Sequence, residues 1–258
     1  MISNLRAVAT AAGLAGLLLA GPAIAACGSS GGTGSGGTGS GGTTPAASAS
    51  TPTATPAPDG STVSTAMKTA ANKATSVHIT GTVAETGSTV GMNMTLTADG
   101  SLYGSVTESG KSFTLLVTGG TPYIKITKSF LAAGGLSAAK CSSVCGKYLK
   151  EPASQASSLT KDLSLHSLVK QALDSPSTDM SALSFTPVTY AGGPAFQASG
   201  PNGARIVVGP APAYLPLLIT SGSKVTVTFS DWNTATVPGP PPASKVLTDQ
   251  QLGQELAG

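Results

Sequence analysis

Hydrophobic and polar residues alternate with a period of two along much of the chain after residue 76. Such alternation is typical of β-strands that have one buried face and one solvated face. Segments rich in Gly, Asp and Ser separate the alternating stretches and are short enough for tight turns. The pattern therefore predicts an antiparallel meander of five strands, at residues 76–84, 90–98, 102–107, 112–118 and 123–127.

The alternation assigns the apolar side chains of this meander to one face, while the other face carries mostly Thr, Ser, Asn, His and Lys. A sheet with one apolar face must cover it, and helices are the expected cover. The apolar face is predicted to carry Val77, Ile79, Met92, Met94, Leu96, Phe113, Leu115, Val117, Ile124 and Ile126.

Three segments have helical periodicity instead. Residues 61–75 form the first, with Asp59 or Ser61 available as the N-cap. A short helix is predicted at residues 128–133 and a longer one at 163–173. The third helix presents Leu165, Leu168 and Val169 to the sheet.

The sheet is predicted to resume after the third helix, which makes the fold class α+β with one antiparallel sheet. Residues 210–219 are apolar but interrupted by prolines, and both a strand and a loop remain open for them. After Trp232 the chain is rich in proline, so residues 239–258 are expected to form a flexible tail. The later strands are predicted at residues 183–190, 195–199, 204–209 and 224–230.

Residues 1–26 have the features of an export signal, with Arg6 ahead of an apolar run that ends in small residues. This run is too short and too rich in Gly and Ala for a spanning helix. It ends before Cys27 in a sequence that resembles the bacterial lipobox, in which the cysteine is acylated and becomes the new N-terminus. We expect a protein held by lipid on the extracytoplasmic face of the cell membrane; ordinary secretion with an unmodified cysteine is the alternative.

Residues 27–60 repeat Gly, Ser and Thr and then Thr, Pro and Ala, without apolar periodicity. Such a segment buries too little surface to offset its ordering entropy, so a disordered tether is expected. The domain after it is long enough for one sizeable core. Charged residues make up 10% of the chain and its net charge is +3, which is too sparse a basic footprint for nucleic-acid binding.

Little in the sequence points to catalysis, metal binding or a cofactor, and none of the three is expected. Cys141 and Cys145 form a C-x3-C pair in an exported chain, which favours a disulfide over a metal site or a redox pair. Only His78 and His166 are available to a hydrolytic triad, and both are expected to be solvated or hydrogen-bonded histidines.

Several features together resemble the actinobacterial LppX/LprG lipoproteins, whose fold is similar to the LolA/LolB carriers. They are the lipobox, the tether, the opening helix, the meander from Ser76, the paired cysteines and the closing strand before Trp232. The resemblance covers roughly residues 61–242. It implies a curved antiparallel half-barrel at residues 61–238, with helices on its concave face and lipids or lipidated molecules carried in its cavity.

Two hypotheses follow for a chain of this kind. The first is a monomeric, non-enzymatic lipoprotein that binds a lipid or lipidated ligand in an apolar cavity and ferries it between membrane and cell wall. The second is an interaction lipoprotein with a filled core, which binds another envelope protein through its Thr-rich sheet face. Whether the apolar face lines a cavity or only a packed core stays open at the level of sequence.

Overall fold

The fold was analysed in a computed structural model that describes residues 56–85, 88–108, 110–152, 164–166, 180–200 and 203–257. The export signal, Cys27 and most of the predicted tether lie outside the described residues, as do Leu168 and Val169 of the third predicted helix. The described part forms one large sheet with a few short helices, which confirms the prediction of an α+β fold built on a curved, unclosed sheet.

The strands predicted for the meander are all present, with ends shifted by one to two residues. The later strands follow the predicted order, and the stretch left open contributes one of them. The strands are β1 (Ser76–Glu85), β2 (Ser88–Thr97), β3 (Leu102–Glu108), β4 (Lys111–Thr118), β5 (Thr121–Lys125), β6 (Tyr148–Lys150), β7 (Thr186–Tyr190), β8 (Gly193–Ser199), β9 (Arg205–Val208), β10 (Pro216–Ser221), β11 (Val225–Ser230) and β12 (Val246–Leu247). The α-helices among the described residues are α1 (Gly60–Lys73), α2 (Lys128–Ala133), α3 (Cys141–Val144) and α4 (Asp249–Ala257).

The sheet has the strand order β12-β6-β5-β4-β3-β2-β1-β11-β10-β9-β8-β7. Two antiparallel meanders are joined where β1 pairs with β11, in a register that places Ile79 opposite Phe229. The pairing of β12 with β6 is parallel. Strands β12 and β7 are therefore the two edges of the sheet.

Two differences from the predicted elements have local causes. Residues 210–219, for which both a strand and a loop remained open, contain a chain reversal followed by the start of strand β10. A 2.8 Å hydrogen bond from the Gly209 N–H to the Leu215 carbonyl closes the reversal. Strand β7 begins three residues later than predicted, because Leu183 closes a turn with Met180 and Ser184 forms a bridge with Asp59.

The expectation of a flexible tail at residues 239–258 was wrong for the part of it that the structure describes. Strand β12 pairs with β6, and helix α4 packs with Leu252 fully buried. Helix α4 begins with a reciprocal cap: Thr248 Oγ1 accepts from the Gln251 N–H at 3.3 Å, and Gln251 Oε1 accepts from the Thr248 N–H at 2.9 Å. This T-x-x-Q pattern is a helix-start signal, which the proline-rich residues before it obscured.

Helices cover the concave face of the sheet at its two ends. Helix α1 packs over β8, β9 and β10 with Val63, Met67 and Ala71 buried one turn apart. Helices α2, α3 and α4 pack over β5 and β6 at the opposite end. Between the two ends, Leu165 is fully buried against the middle of the sheet.

Asp59 is the N-cap of α1, as expected. Its carboxylate accepts hydrogen bonds from the Ser61 hydroxyl at 2.5 Å, the Thr62 hydroxyl at 2.6 Å and the Thr62 N–H at 2.8 Å. These bonds favour the ionised form and hold the pKa of Asp59 well below its usual range.

This geometry predicts a pH dependence of stability. Because the folded-state pKa is lowered, the contribution of Asp59 is complete above its unfolded pKa of about 3.9 and is lost as the pH falls towards the folded value. We expect Asp59→Ala to lower the Tm by a few degrees at pH 7 and by less at pH 3. Asp59→Asn, which still accepts from the Thr62 N–H, should keep most of the Tm at both pH values; an equal loss for both variants would contradict this role.

Candidate functional site

The strand register brings the predicted apolar positions onto one face of the sheet. Val77 pairs with Leu96 and Ile79 with Met94 between β1 and β2. Leu115 of β4 then lies opposite Ile124 of β5. The face is concave and runs without a break through the first meander.

Leu115 links two of the hydrophobic clusters on this face, which makes them one continuous surface. It packs against the middle cluster and also against the cluster under α2, α3 and α4. The middle cluster contains Val77, Ile79, Met92, Met94, Leu96, Val117 and Leu165 of the predicted site, and the end cluster contains Ile124 and Ile126 with Phe113 packed against it.

Burial differs along the concave face. Val77, Leu96 and Val117 are at most 1% exposed, whereas Ile79 and Met92 are each 8% exposed. A further group of apolar side chains on or beside the same face is only half-buried. These are Phe113, Leu115, Val225, Phe229 and Trp232. The concave face therefore has a deep floor and an accessible apolar rim.

Part of this rim comes from β11, which the sequence analysis did not assign to the site. Phe229 stacks on Trp232 with ring centroids 6.1 Å apart and an interplanar angle of 16°. Trp232 Nε1 donates a hydrogen bond to the Pro216 carbonyl at 2.9 Å, so its polar atom is satisfied while the ring stays beside the apolar face. The alternation of apolar and polar residues in Val225–Ser230 was enough to assign Phe229 to an apolar face. The pairing of β11 with β1, which brings Phe229 to this site, could not be predicted from the local sequence.

Two glycines on the concave face let neighbouring backbones approach closely. A Cβ at Gly104 would lie 2.5 Å from the Cα and 2.9 Å from the Cγ of Met94 on β2. A Cβ at Gly81 would lie 2.8 Å from the Cα of Val227 on β11. Glycines at such positions permit strong bending of strands, which is how a sheet becomes a half-barrel.

Polar groups near this face do not form a catalytic arrangement among the described residues. His78 lies on the opposite, convex face, where its Nδ1 shares a 2.9 Å hydrogen bond with Thr95 Oγ1. His166 is exposed. In the part of the chain that the structure describes, no three His, Cys, Asp or Glu side chains are grouped closely enough to hold a metal.

Asp99, a carboxylate with a lowered pKa in the first meander, serves a turn. Asp99 accepts from the Thr97 hydroxyl at 2.5 Å and the Ser101 N–H at 2.9 Å, and these bonds lower the pKa of Asp99. It fixes the hairpin between β2 and β3 and thereby the register of Met94 and Leu96 opposite β3.

Cys141 and Cys145 form a disulfide, which supports the interpretation made from the sequence. The disulfide joins the first residue of α3 to the C-cap residue that follows the helix, and Val144 of α3 is fully buried in the end cluster. Both sulfurs pack at the edge of that cluster, so the disulfide fixes one wall of the helical cover.

Two open clefts flank α4. One, of about 740 Å³, is lined by Lys140, Ser142, Ser143, Gln251 and Glu255 among others. The second, of about 570 Å³, lies on the other side and is lined by Thr121, Lys150, Glu151, Thr248 and Asp249 among others. Both are open clefts at the surface beside α4.

No protein-family model matches the chain, and no curated protein sequence matches it. Solved structures do resemble it. The structure of LprF from Mycobacterium bovis covers 71% of this chain and 97% of its own, at 18% identity and a TM-score of 0.42.

Two further matches are to the protein MucB. MucB in complex with MucA(peri) covers 72% of this chain and 60% of its own, at 15% identity and a TM-score of 0.29. The MucA/MucB complex of Pseudomonas aeruginosa covers 72% of this chain and 59% of its own, at 12% identity and a TM-score of 0.25.

No helix among the described residues is both long and apolar enough to cross a bilayer.

Proposed function

We propose that this chain is a lipid-anchored extracytoplasmic protein that holds a lipid or a lipidated molecule against the concave face of its half-barrel. The observation that carries the proposal is the continuous apolar concave face with a half-buried apolar rim at Phe113, Leu115 and Phe229. Apolar rims of this kind are typical of sites that accept apolar ligands.

The energetics suit a carrier. An acyl chain of about sixteen carbons gains roughly 13 kcal/mol on leaving water, at about 0.8 kcal/mol per methylene. It gains nearly the same in an apolar protein site as in a bilayer, so exchange between the two is close to isoenergetic. Met92 and Met94 on the floor of the face suit this role, because thioether side chains adapt to irregular alkyl chains.

The anchor and tether would keep such a carrier beside its source of lipid. Acylation of Cys27 would hold the chain to the membrane, since two or more long acyl chains give stable anchoring. The tether predicted at residues 27–60 has a root-mean-square span of about 30 Å and a maximal reach of roughly 100 Å. The domain would thus move between the membrane surface and the cell wall without release of the anchor.

The experiment that tests this function uses the exported Cys27→Ser chain, which lacks the thiol that would be acylated. Lipids are extracted from the purified protein and identified by mass spectrometry, so that every acyl chain found comes from a ligand. We expect close to one lipid per protein. Purified protein that carries no lipid and takes up none from vesicles would overturn the proposal, and would leave the alternative of an interaction protein with a filled core.

A further inference from the structure

The strand register aligns part of the concave face in a single row that crosses the strands. Each member of the row is the direct cross-strand partner of the next, and such partners have Cα atoms about 4.5–5.5 Å apart. We call this set the transverse row. From β11 to β5 its members are Phe229, Ile79, Met94, Gly104, Leu115 and Ile124.

The two ends of the transverse row differ in their surroundings. Ile124 is 6% exposed and belongs to the end cluster, over which α2, α3 and α4 pack. Phe229, at the other end, is half-buried and stacks on the half-buried Trp232. Helices therefore cover the row at β5, whereas an aromatic pair that solvent can reach stands at β11.

The backbone around Trp232 holds the indole ring at this end of the row. Asp231 and Asn233 have φ values of 51° and 64°, in the left-handed region that residues other than glycine rarely adopt. The Asn233 side-chain carbonyl accepts from the Thr75 N–H at 2.8 Å, and the Asn233 N–H donates to the Ser76 carbonyl at 2.9 Å. Strained residues that several contacts hold in place are enriched at ligand-binding positions.

Polar groups stand beside the aromatic pair. The Asp231 carboxylate accepts from the Ser230 hydroxyl at 3.0 Å, and the Asn233 carbonyl oxygen accepts from the Thr75 hydroxyl at 3.3 Å. Asp231 and Asn233 are both exposed. A tryptophan with an apolar ring face and a hydrogen-bonded N–H suits a boundary between apolar and hydrated surroundings. An amphiphile fits this end of the row, with its polar group in water and its chain on the apolar face.

From this arrangement we infer that Phe229 and Trp232 form the mouth of the binding site, where a long unbranched acyl chain enters tail first and follows the transverse row towards the end cluster. The inference rests on the proposed lipid-binding function and assigns its entrance and the direction of the bound chain. Between Phe229 and Leu115 the chain crosses four strand spacings, which is roughly 19 Å. The polar group of the ligand stays beside Asp231 and Asn233.

The fluorescence of Trp232, the one tryptophan of the chain, tests the direction of the bound chain. Two isomeric probes are hexadecanoic acid brominated next to the carboxyl group and hexadecanoic acid brominated at the terminal carbon. A bromine atom quenches tryptophan fluorescence at close range. Because roughly 19 Å separates the two ends of the path, we expect the carboxyl-end bromine to quench at least about threefold more than the terminal bromine at saturation.

A reciprocal variant places the reporter at the other end of the path. Phe113 is half-buried on β4 and packs against the end cluster, so the double variant Phe113→Trp, Trp232→Phe moves the indole there with aromatic residues kept at both positions. In this protein the terminal bromine should be the stronger quencher. Circular dichroism shows whether the variant is folded, and the measurement on the wild type decides alone if it is not.

The outcomes separate the entrance from the function. Displacement of a fluorescently labelled fatty acid shows whether the brominated acids bind. If both acids bind and the terminal bromine quenches Trp232 as strongly as the carboxyl-end bromine or more, the assignment of the mouth is wrong while lipid binding stands. If neither acid binds, the proposed function is overturned and the mouth with it.

Discussion

A Leu115→Asp variant is expected to lose fatty-acid binding while remaining folded. Leu115 is half-buried on the concave face and packs against both the middle and the end clusters. An ionised carboxylate there would have to be desolvated when an acyl chain covers it, and desolvating an unpaired charge is costly. We expect the Kd for a fluorescently labelled long-chain fatty acid to rise at least about tenfold, which corresponds to about 1.4 kcal/mol.

The neighbouring residue supplies a matched control. Thr114 lies on the same strand, is also half-buried, and faces the convex side, where it is aligned with Lys125. A Thr114→Asp variant introduces the same charge opposite a cation and away from the apolar face, so its Kd should stay within about twofold of the wild type. Circular dichroism and Tm measurements show whether both variants are folded. A folded Leu115→Asp protein that binds as tightly as Thr114→Asp would show that the ligand does not contact this face.

The first half of the concave face could be predicted from local sequence because its determinants are local. Side chains alternate between faces with a period of two, so Ile79 and Met94 must share a face once their strands pair. The register follows from the hairpin at Asp99, whose carboxylate closes the turn between β2 and β3. Short turns of this kind are readable from a few residues.

The second half of the face depends on contacts between distant parts of the chain. Phe229 lies opposite Ile79 only because β11 pairs with β1, and no local pattern specifies which strand closes the gap between two meanders. The same holds for Met180 and Phe185, which join the cluster under α1. Sequence patterns identified most of the strands, but not β6 or β12, and the tertiary pairing decided which residues became neighbours.

The C-terminal segment shows a different reason for failure. Composition dominated the prediction there, because four prolines in residues 238–242 suggested a flexible tail. Leu252 and Leu256 are one helical turn apart and follow a T-x-x-Q start signal, so a short amphipathic helix was predictable. A helix of nine residues is marginal alone, and its stability comes from burying Leu252 in the end cluster.

A Gly104→Ala variant is expected to destabilise the whole domain. The added methyl group would lie 2.5 Å from the Cα and 2.9 Å from the Cγ of Met94, so β2 and β3 would have to separate at this point of the concave face. Overpacking of this kind costs about 1–3 kcal/mol, and we expect the upper end because a backbone rather than a flexible side chain must move. For a domain of this size the Tm should fall by roughly 6–12 °C, as measured by thermal unfolding.

Gly91→Ala separates this steric effect from the general properties of glycine in a strand. Gly91 belongs to β2, one of the two strands that meet at Gly104, but its Cβ would point to the convex side and come no closer than 3.7 Å to Thr107 Cβ, an ordinary contact. Because alanine also reduces the entropy of the unfolded chain, Gly91→Ala should leave the Tm unchanged or raise it by a few degrees. Equal Tm values for the two variants would mean that close approach at Gly104 does not set the curvature. A loss of Tm confined to Gly104→Ala would tie the shape of the half-barrel to this missing side chain.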